Sequence, residues 1–143
     1  METVKQLLDK KGRDVWSIPG DAPMYDALKM MVDKNVGGLL VQKGEAYIGF
    51  LSERDYARGV IMQQNITLDT QVKDVMTSRV LYVTSTNTIS ECMALMIEKR
   101  VRHLPVQKNG KFVGVVSIGD VVKTVVSQQE FMIEQLENYI TGS

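Results

Sequence analysis

The chain has 143 residues, with Lys and Arg totalling 17 and Asp and Glu totalling 17, so it is the size of one compact body and carries no net charge. That balance excludes a general attraction to nucleic acid or to an anionic membrane, while a local basic pocket remains allowed. One cysteine excludes an internal disulfide, and Cys92 with the single His103 offers no metal-ligand spacing.

Read in chain order, the opening METVKQLLDKKGRD is polar and charged and does not read as a signal peptide; no apolar run is long enough to span a bilayer. A soluble cytoplasmic protein is expected. Val4-Lys5 opens a short turn. Val15–Ile18 reads as a short strand, ended by Pro19-Gly20. From Met24 to Val32, the positions Met24, Ala27, Leu28 and Met31 share one helical face, and Gly37-Gly38 is expected to stop that helix. Leu39–Val41 and Ala46–Leu51 read as strands around a turn at Lys43-Gly44-Glu45, and a helix is expected from Ser52 to about Met62. Residues 63–72 form a linker.

The same order then returns. Val80–Val83 is a strand, Thr88–Arg100 a helix with Ile89, Cys92, Met93 and Met96 inward, and His103–Val106 and Phe112–Val116 are strands joined at Asn109-Gly110, a hairpin signal. A last helix begins near Ser117. From Gln128 to Ile140 the apolar stripe Met132, Ile133, Leu136, Tyr139 and Ile140 opposes Glu130, Glu134 and Glu137, an extra amphipathic helix.

The recurrence is quantitative. Shifted by 65 positions, residues 15–60 match residues 80–125 without a gap, with identities at Val15/Val80, Met31/Met96, Lys34/Lys99, Leu39/Leu104, Val41/Val106, Gly49/Gly114, Ser52/Ser117 and Asp55/Asp120 among others. An internal repeat of this kind sets the fold class. It is α/β (α+β): two βαββα units with pseudo-two-fold symmetry, plus an N-terminal segment and a C-terminal helix. The expected division is 1–70, 71–127 and 128–143. Each half is about 60 residues, marginal for burying its own core.

Two of the matched pairs are polar. In Gly114-Val115-Val116-Ser117-Ile118-Gly119-Asp120 a buried strand ends in a hydroxyl, and a carboxylate follows three residues later at a helix start. One reading is a capping box, Ser117 as cap and Asp120 reaching back to its amide. The other is a sugar site: an ionised carboxylate can accept from both hydroxyls of a ribose diol, and a helix start offers amides to phosphate. Gly49-Phe50-Leu51-Ser52-Glu53-Arg54-Asp55 repeats the arrangement, with Arg54 and Arg58 one turn apart where the second unit has Gly119 and Lys123.

With Val72-Lys73-Asp74-Val75-Met76-Thr77 and Arg102-His103-Leu104-Pro105-Val106, these segments in this order resemble a tandem cystathionine-β-synthase (CBS) domain pair, or Bateman module, over nearly the whole chain. The resemblance implies a stand-alone regulatory module that binds an adenosine-containing ligand (AMP, ADP, ATP, NAD or S-adenosylmethionine) in the cleft between the repeats. It would sense energy or redox state and act in trans on an effector protein that the sequence does not name. No Cys/His or Ser/His/acid set lies in matched positions and no metal-ligand spacing appears, so no catalytic residue and no metal is expected. Asp120 and Ser117 would hold the sugar, Arg102, His103 and Pro105 would line the base and phosphate, and Trp16 would cover the adenine. A mirrored site would use Ser52, Asp55, Arg54, Arg58 and Thr77. Arg102, His103 and Pro105, against Gly37, Gly38 and Leu40 in the first unit, make the Asp120 site the expected stronger binder. A homodimer is expected, because CBS pairs commonly pair their helix faces. The alternative is a structural dimerisation module with vestigial pockets. Cys92, aligned with Ala27, reads as core.

Overall fold

The computed structural model describes residues 2–62 and 65–142; Gln63 and Gln64, the start of the expected linker, lie outside the described residues. In chain order the elements are α1 (Val4–Lys11), β1 (Ser17–Pro19), α2 (Met24–Lys34), β2 (Gly38–Lys43), β3 (Ala46–Ser52), α3 (Glu53–Ile61), a 3-10 turn at Val72–Asp74, α4 (Ile89–Lys99), β4 (His103–Lys108), β5 (Lys111–Ser117) and α5 (Ile118–Thr141). Two compact units result. One runs from Val15 to Leu81; the other joins the N-terminal segment through Asp14 to everything from Tyr82 onward.

The same positions build both cores. In the Val15–Leu81 unit, Ile18, Met24, Ala27, Met31, Leu39, Val41 and Leu51 are buried, and their partners 65 residues on, Val83, Ile89, Cys92, Met96, Leu104, Val106 and Val116, are buried in the other unit. Beyond these seven, each core takes in a residue that breaks that spacing. It is Val72 in the Val15–Leu81 unit and Val4 in the other, both fully buried. Each core is thus completed by the segment that precedes the other repeat. This exchange is why the folded units divide the chain differently from the repeat boundaries at residues 70 and 71.

The segment ahead of the first repeat is a capped helix, where the sequence suggested only a turn. Thr3 Oγ accepts from the Gln6 amide at 3.3 Å and Gln6 Oε1 accepts from the Thr3 amide at 2.9 Å, a reciprocal cap. Val4, Leu7 and Leu8 lie at helical spacing and are all buried. The polar residues around them hid a stripe of three.

In the Val15–Leu81 unit, β2 pairs in parallel with β1 and antiparallel with β3. The other unit keeps the β4–β5 hairpin, but the expected strand at Val80–Val83 shrinks to one parallel bridge between Val83 and Val106. The cause follows directly in the chain. The Thr84 amide bonds Asn87 Oδ1 at 2.8 Å and the Asn87 amide bonds the Thr84 carbonyl at 3.1 Å, so a turn bends the chain away after one paired residue. Both hairpins shift register at the same place, between Val41 and Gln42 and between Val106 and Gln107. Asn109 and Gly110 both take positive φ, 52° and 77°, as their hairpin requires.

Two helix boundaries also differ from expectation, the end of α2 and the start of the tail helix. α2 stops at Lys34 because Asn35 takes the left-handed conformation at φ 54°, before Gly37 is reached, and Arg100 closes α4 in the same way at φ 55°. The expected tail helix from Gln128 is helical but not separate, since α5 runs unbroken for 24 residues.

Candidate functional site

Both polar repeats sit at a strand-to-helix junction. β3 ends in Ser52 with extended backbone, and Ser52 caps α3: its Oγ accepts from the Asp55 amide at 3.1 Å, while Asp55 Oδ2 accepts from the Ser52 amide at 2.9 Å. β5 ends in Ser117, whose Oγ accepts from the Asp120 amide at 3.2 Å, and Asp120 Oδ2 accepts from the Ser117 amide at 2.9 Å. The capping reading therefore holds at both places, and it does not exhaust either carboxylate. Among the described residues no hydrogen bond reaches Oδ1 of Asp55 or of Asp120. The cap holds each side chain in one orientation, and an acceptor oxygen is left over. Such an oxygen can take a ligand hydroxyl.

The two junctions are furnished differently. In the Tyr82-onward unit, His103 stands directly opposite Ser117 in the hairpin, and the Arg102 carbonyl accepts from the Ile118 amide at 2.8 Å. Pro105 lies further along β4, opposite Val115, and is buried. In the Val15–Leu81 unit the position opposite Ser52 is Gly38, which has no side chain. The space is filled all the same. A Cβ on Gly38 would meet the Phe50 ring at 2.5 Å, so the ring lies over that glycine. Phe50 was not among the sequence candidates; a glycine facing an aromatic across a hairpin is the signal that could have found it. Thr77 is brought to the same edge: Phe50 and Thr77 exchange two backbone hydrogen bonds, each 2.9 Å.

Arg54 is half-buried on α3 and Arg58 is exposed. Neither makes an ion pair among the described residues. Trp16 belongs to the Val15–Leu81 unit, where it packs beside that unit's core with Lys34 Nζ 4.4 Å from its ring centroid.

The second residue that sequence reasoning missed is Lys11. Its Nζ donates to Asp120 Oδ2 at 2.6 Å and to the Val115 carbonyl at 2.8 Å. Only the exchange of N-terminal segments brings it there, 109 residues away along the chain.

Cys92 is fully buried on α4, and burial pushes its thiol up to about 11, so it stays protonated and packs as core. Among the described residues no group of three or more His, Cys, Asp or Glu could hold a metal ion, and no helix is long and apolar enough to cross a membrane.

Comparison with known proteins adds the following. The CBS domain family model matches residues 4–61 and again residues 72–127. The CBS domain-containing protein CBSX3, mitochondrial, of Arabidopsis thaliana is 38% identical in an alignment of 150 positions, gaps included, that takes in 98% of this chain and 72% of that protein. The crystal structure of the CBS domain NE2398 is 46% identical and superposes with a TM-score of 0.82, covering 87% of this chain and 98% of that one. The CBS domain protein PAE2072 from Pyrobaculum aerophilum, solved in complex with AMP, is 27% identical with a TM-score of 0.71, covering 82% of this chain and 88% of that one.

Proposed function

Because the chain belongs to the CBS domain family, with one domain at residues 4–61 and a second at 72–127, we propose that it is a regulatory module that binds an adenosine-containing ligand. The observation that carries the reading is the pair of capped carboxylates, each oriented by its own serine and each with Oδ1 unused by the described residues. That arrangement fits a ribose diol. The AMP complex of the 27% identical relative supports an adenosine ligand and makes AMP the first to try, ahead of ADP, ATP and NAD.

In the Val15–Leu81 unit, Asp55 takes the sugar hydroxyls, Ser52 and Thr77 line the junction, and the Arg54 and Arg58 guanidiniums, without carboxylate partners, meet phosphate. In the other unit Asp120 and Ser117 play the same part, with His103 and Pro105 on the neighbouring strand and Arg102 just ahead of it. Trp16 offers a stacking surface at the edge of its own unit. Nothing in this reading requires a metal or a catalytic step. The module senses ligand and its output passes in trans to an effector protein. The cytoplasm is the proposed setting, although the Arabidopsis relative is described as mitochondrial.

Native mass spectrometry of freshly purified protein tests the ligand class. An adenine nucleotide carried through purification is the expected result. Protein that arrives without one, and that takes up none of AMP, ATP or NAD at millimolar concentration, would favour a structural dimerisation module instead.

The same module is proposed to be a homodimer. Val32 on α2 and its repeat partner Ile97 on α4 are 79% and 70% exposed, and Ile61 and its partner Val126 are exposed too, so both units leave the same helix positions uncovered. The apolar stripe of α5 from Phe131 to Ile140 is exposed as well. Tyr56 on α3, by contrast, is half-buried against its own unit's core. Sedimentation is expected to give a dimer at tens of micromolar protein; monomer alone at that concentration would contradict it.

A further inference from the structure

The two carboxylates are not in the same state, and the difference lies in the segments that the units exchange. Gly49 and Gly114 occupy matching positions on β3 and β5. Each lacks a Cβ where a side chain presses in: Met76 at Gly49 and Leu8 at Gly114. Leu8 and Met76 are thus equivalent, as are Val4 and Val72 in the cores. Counting three residues on from each gives Lys11 and Arg79. Lys11 reaches back onto Asp120 at 2.6 Å and is held there by a second bond to the Val115 carbonyl. Arg79 makes no ion pair with Asp55 or any other carboxylate among the described residues.

We infer that Lys11 is a specificity-determining residue that competes with the ligand's sugar for Asp120, so that the Asp55 site loads first. The inference rests on the reading of the two carboxylates as ribose acceptors. A ribose diol would use Oδ1 and the remaining acceptor site of Oδ2, and at Asp120 that Oδ2 site already holds Lys11 in a charge-assisted bond of 2.6 Å, which the second hydroxyl must replace. Asp55 has no such occupant. Lys11 therefore reverses the order expected from Arg102, His103 and Pro105 alone. The helix that carries Lys11 does not have to move when the lysine lets go. Val4, Leu7 and Leu8 stay buried, and the Val4 and Lys5 amides are bonded to the Asn87 and Ser85 carbonyls at 2.8 and 3.0 Å. Only the lysine side chain is displaced.

The test uses calorimetry with two ligands, AMP and adenosine, which share the sugar and differ in the phosphate. Asp55→Asn isolates the Asp120 site, and Lys11→Met is added to it. Lys11→Met is expected to tighten both ligands by about twofold to fivefold at the Asp120 site, the range that loss of a partly exposed ion pair allows. Lys11→Arg is expected to leave the site as closed as before. Weaker AMP binding with adenosine unchanged would overturn the inference, since Lys11 would then be a phosphate contact. Unchanged affinity for both would overturn it as well, because no competition would exist. Thermal melts that coincide with the parent protein's confirm that each variant is folded. Binding of neither ligand to the unsubstituted protein would be a different failure: it would sink the nucleotide reading itself, and this inference with it.

Discussion

Removing residues 1–14 is expected to unfold the unit that begins at Tyr82. α1 is a component of that unit's core, although it precedes the other repeat in the chain. Val4, Leu7 and Leu8 are each no more than 6% exposed. Burying a side chain of that size is worth about 1.5–3 kcal/mol, so the three together contribute roughly 5–9 kcal/mol. A domain's whole stability is about 5–15 kcal/mol. The deletion also strips the Leu8 side chain from over Gly114 and leaves a groove along β5. Hydrogen exchange should show protection lost across β4, β5 and α4, with less change in β2 and β3. A truncated chain that melts as the full one does would show that α1 is dispensable, and the proposed exchange of core residues would be wrong.

Gly49→Ala is expected to cost about 2–4 kcal/mol, near the upper end for adding a single methyl to a packed site. The new Cβ would stand 2.5 Å from Met76 Sδ and 2.7 Å from the Thr77 carbonyl oxygen. The methionine can turn aside; the carbonyl is backbone and accepts from the Phe50 amide at 2.9 Å, so relieving the clash strains the bridge that holds Thr77 to β3. Gly114→Ala provides the contrast. Its nearest neighbours are the Leu8 methyls at 2.8 and 2.9 Å, side-chain atoms only, and a smaller loss is expected. Chemical denaturation should give a lower midpoint for Gly49→Ala with an unchanged slope. Equal losses at the two glycines would mean that the Thr77 backbone is not the obstacle.

Much of this architecture was readable in the repeat. A spacing of 65 residues marked the same seven core positions twice, and Ser52/Asp55 and Ser117/Asp120 stood out as polar pairs inside apolar runs. What escaped reading is what the repeat does not contain. The segments at Val4 and Val72 match at 68 residues, not 65, so the register that revealed the domains concealed the helix at Val4–Lys11 and its role. Lys11 meets Asp120 only because that segment crosses to the other unit, a long-range contact that no local pattern encodes. Phe50 was only one residue of the strand Ala46–Leu51 until the absence of a side chain at Gly38 gave its ring a place to lie. The strand expected at Val80–Val83 had the right residues but a competing turn at Thr84–Asn87, and the turn prevailed.

The most direct test of the central claim is calorimetric titration of AMP into the unsubstituted protein, Asp55→Asn and Asp120→Asn. Asparagine keeps an acceptor for the serine cap at either junction while removing the charge and the spare acceptor oxygen. A hydrogen bond to a charged acceptor is worth about 1.5–3 kcal/mol, so the stronger binding event should weaken by roughly tenfold or more in Asp55→Asn, while Asp120→Asn leaves that event in place. Tight AMP binding that survives both substitutions undiminished would contradict the account, because the capped carboxylates would then have no part in holding the ligand.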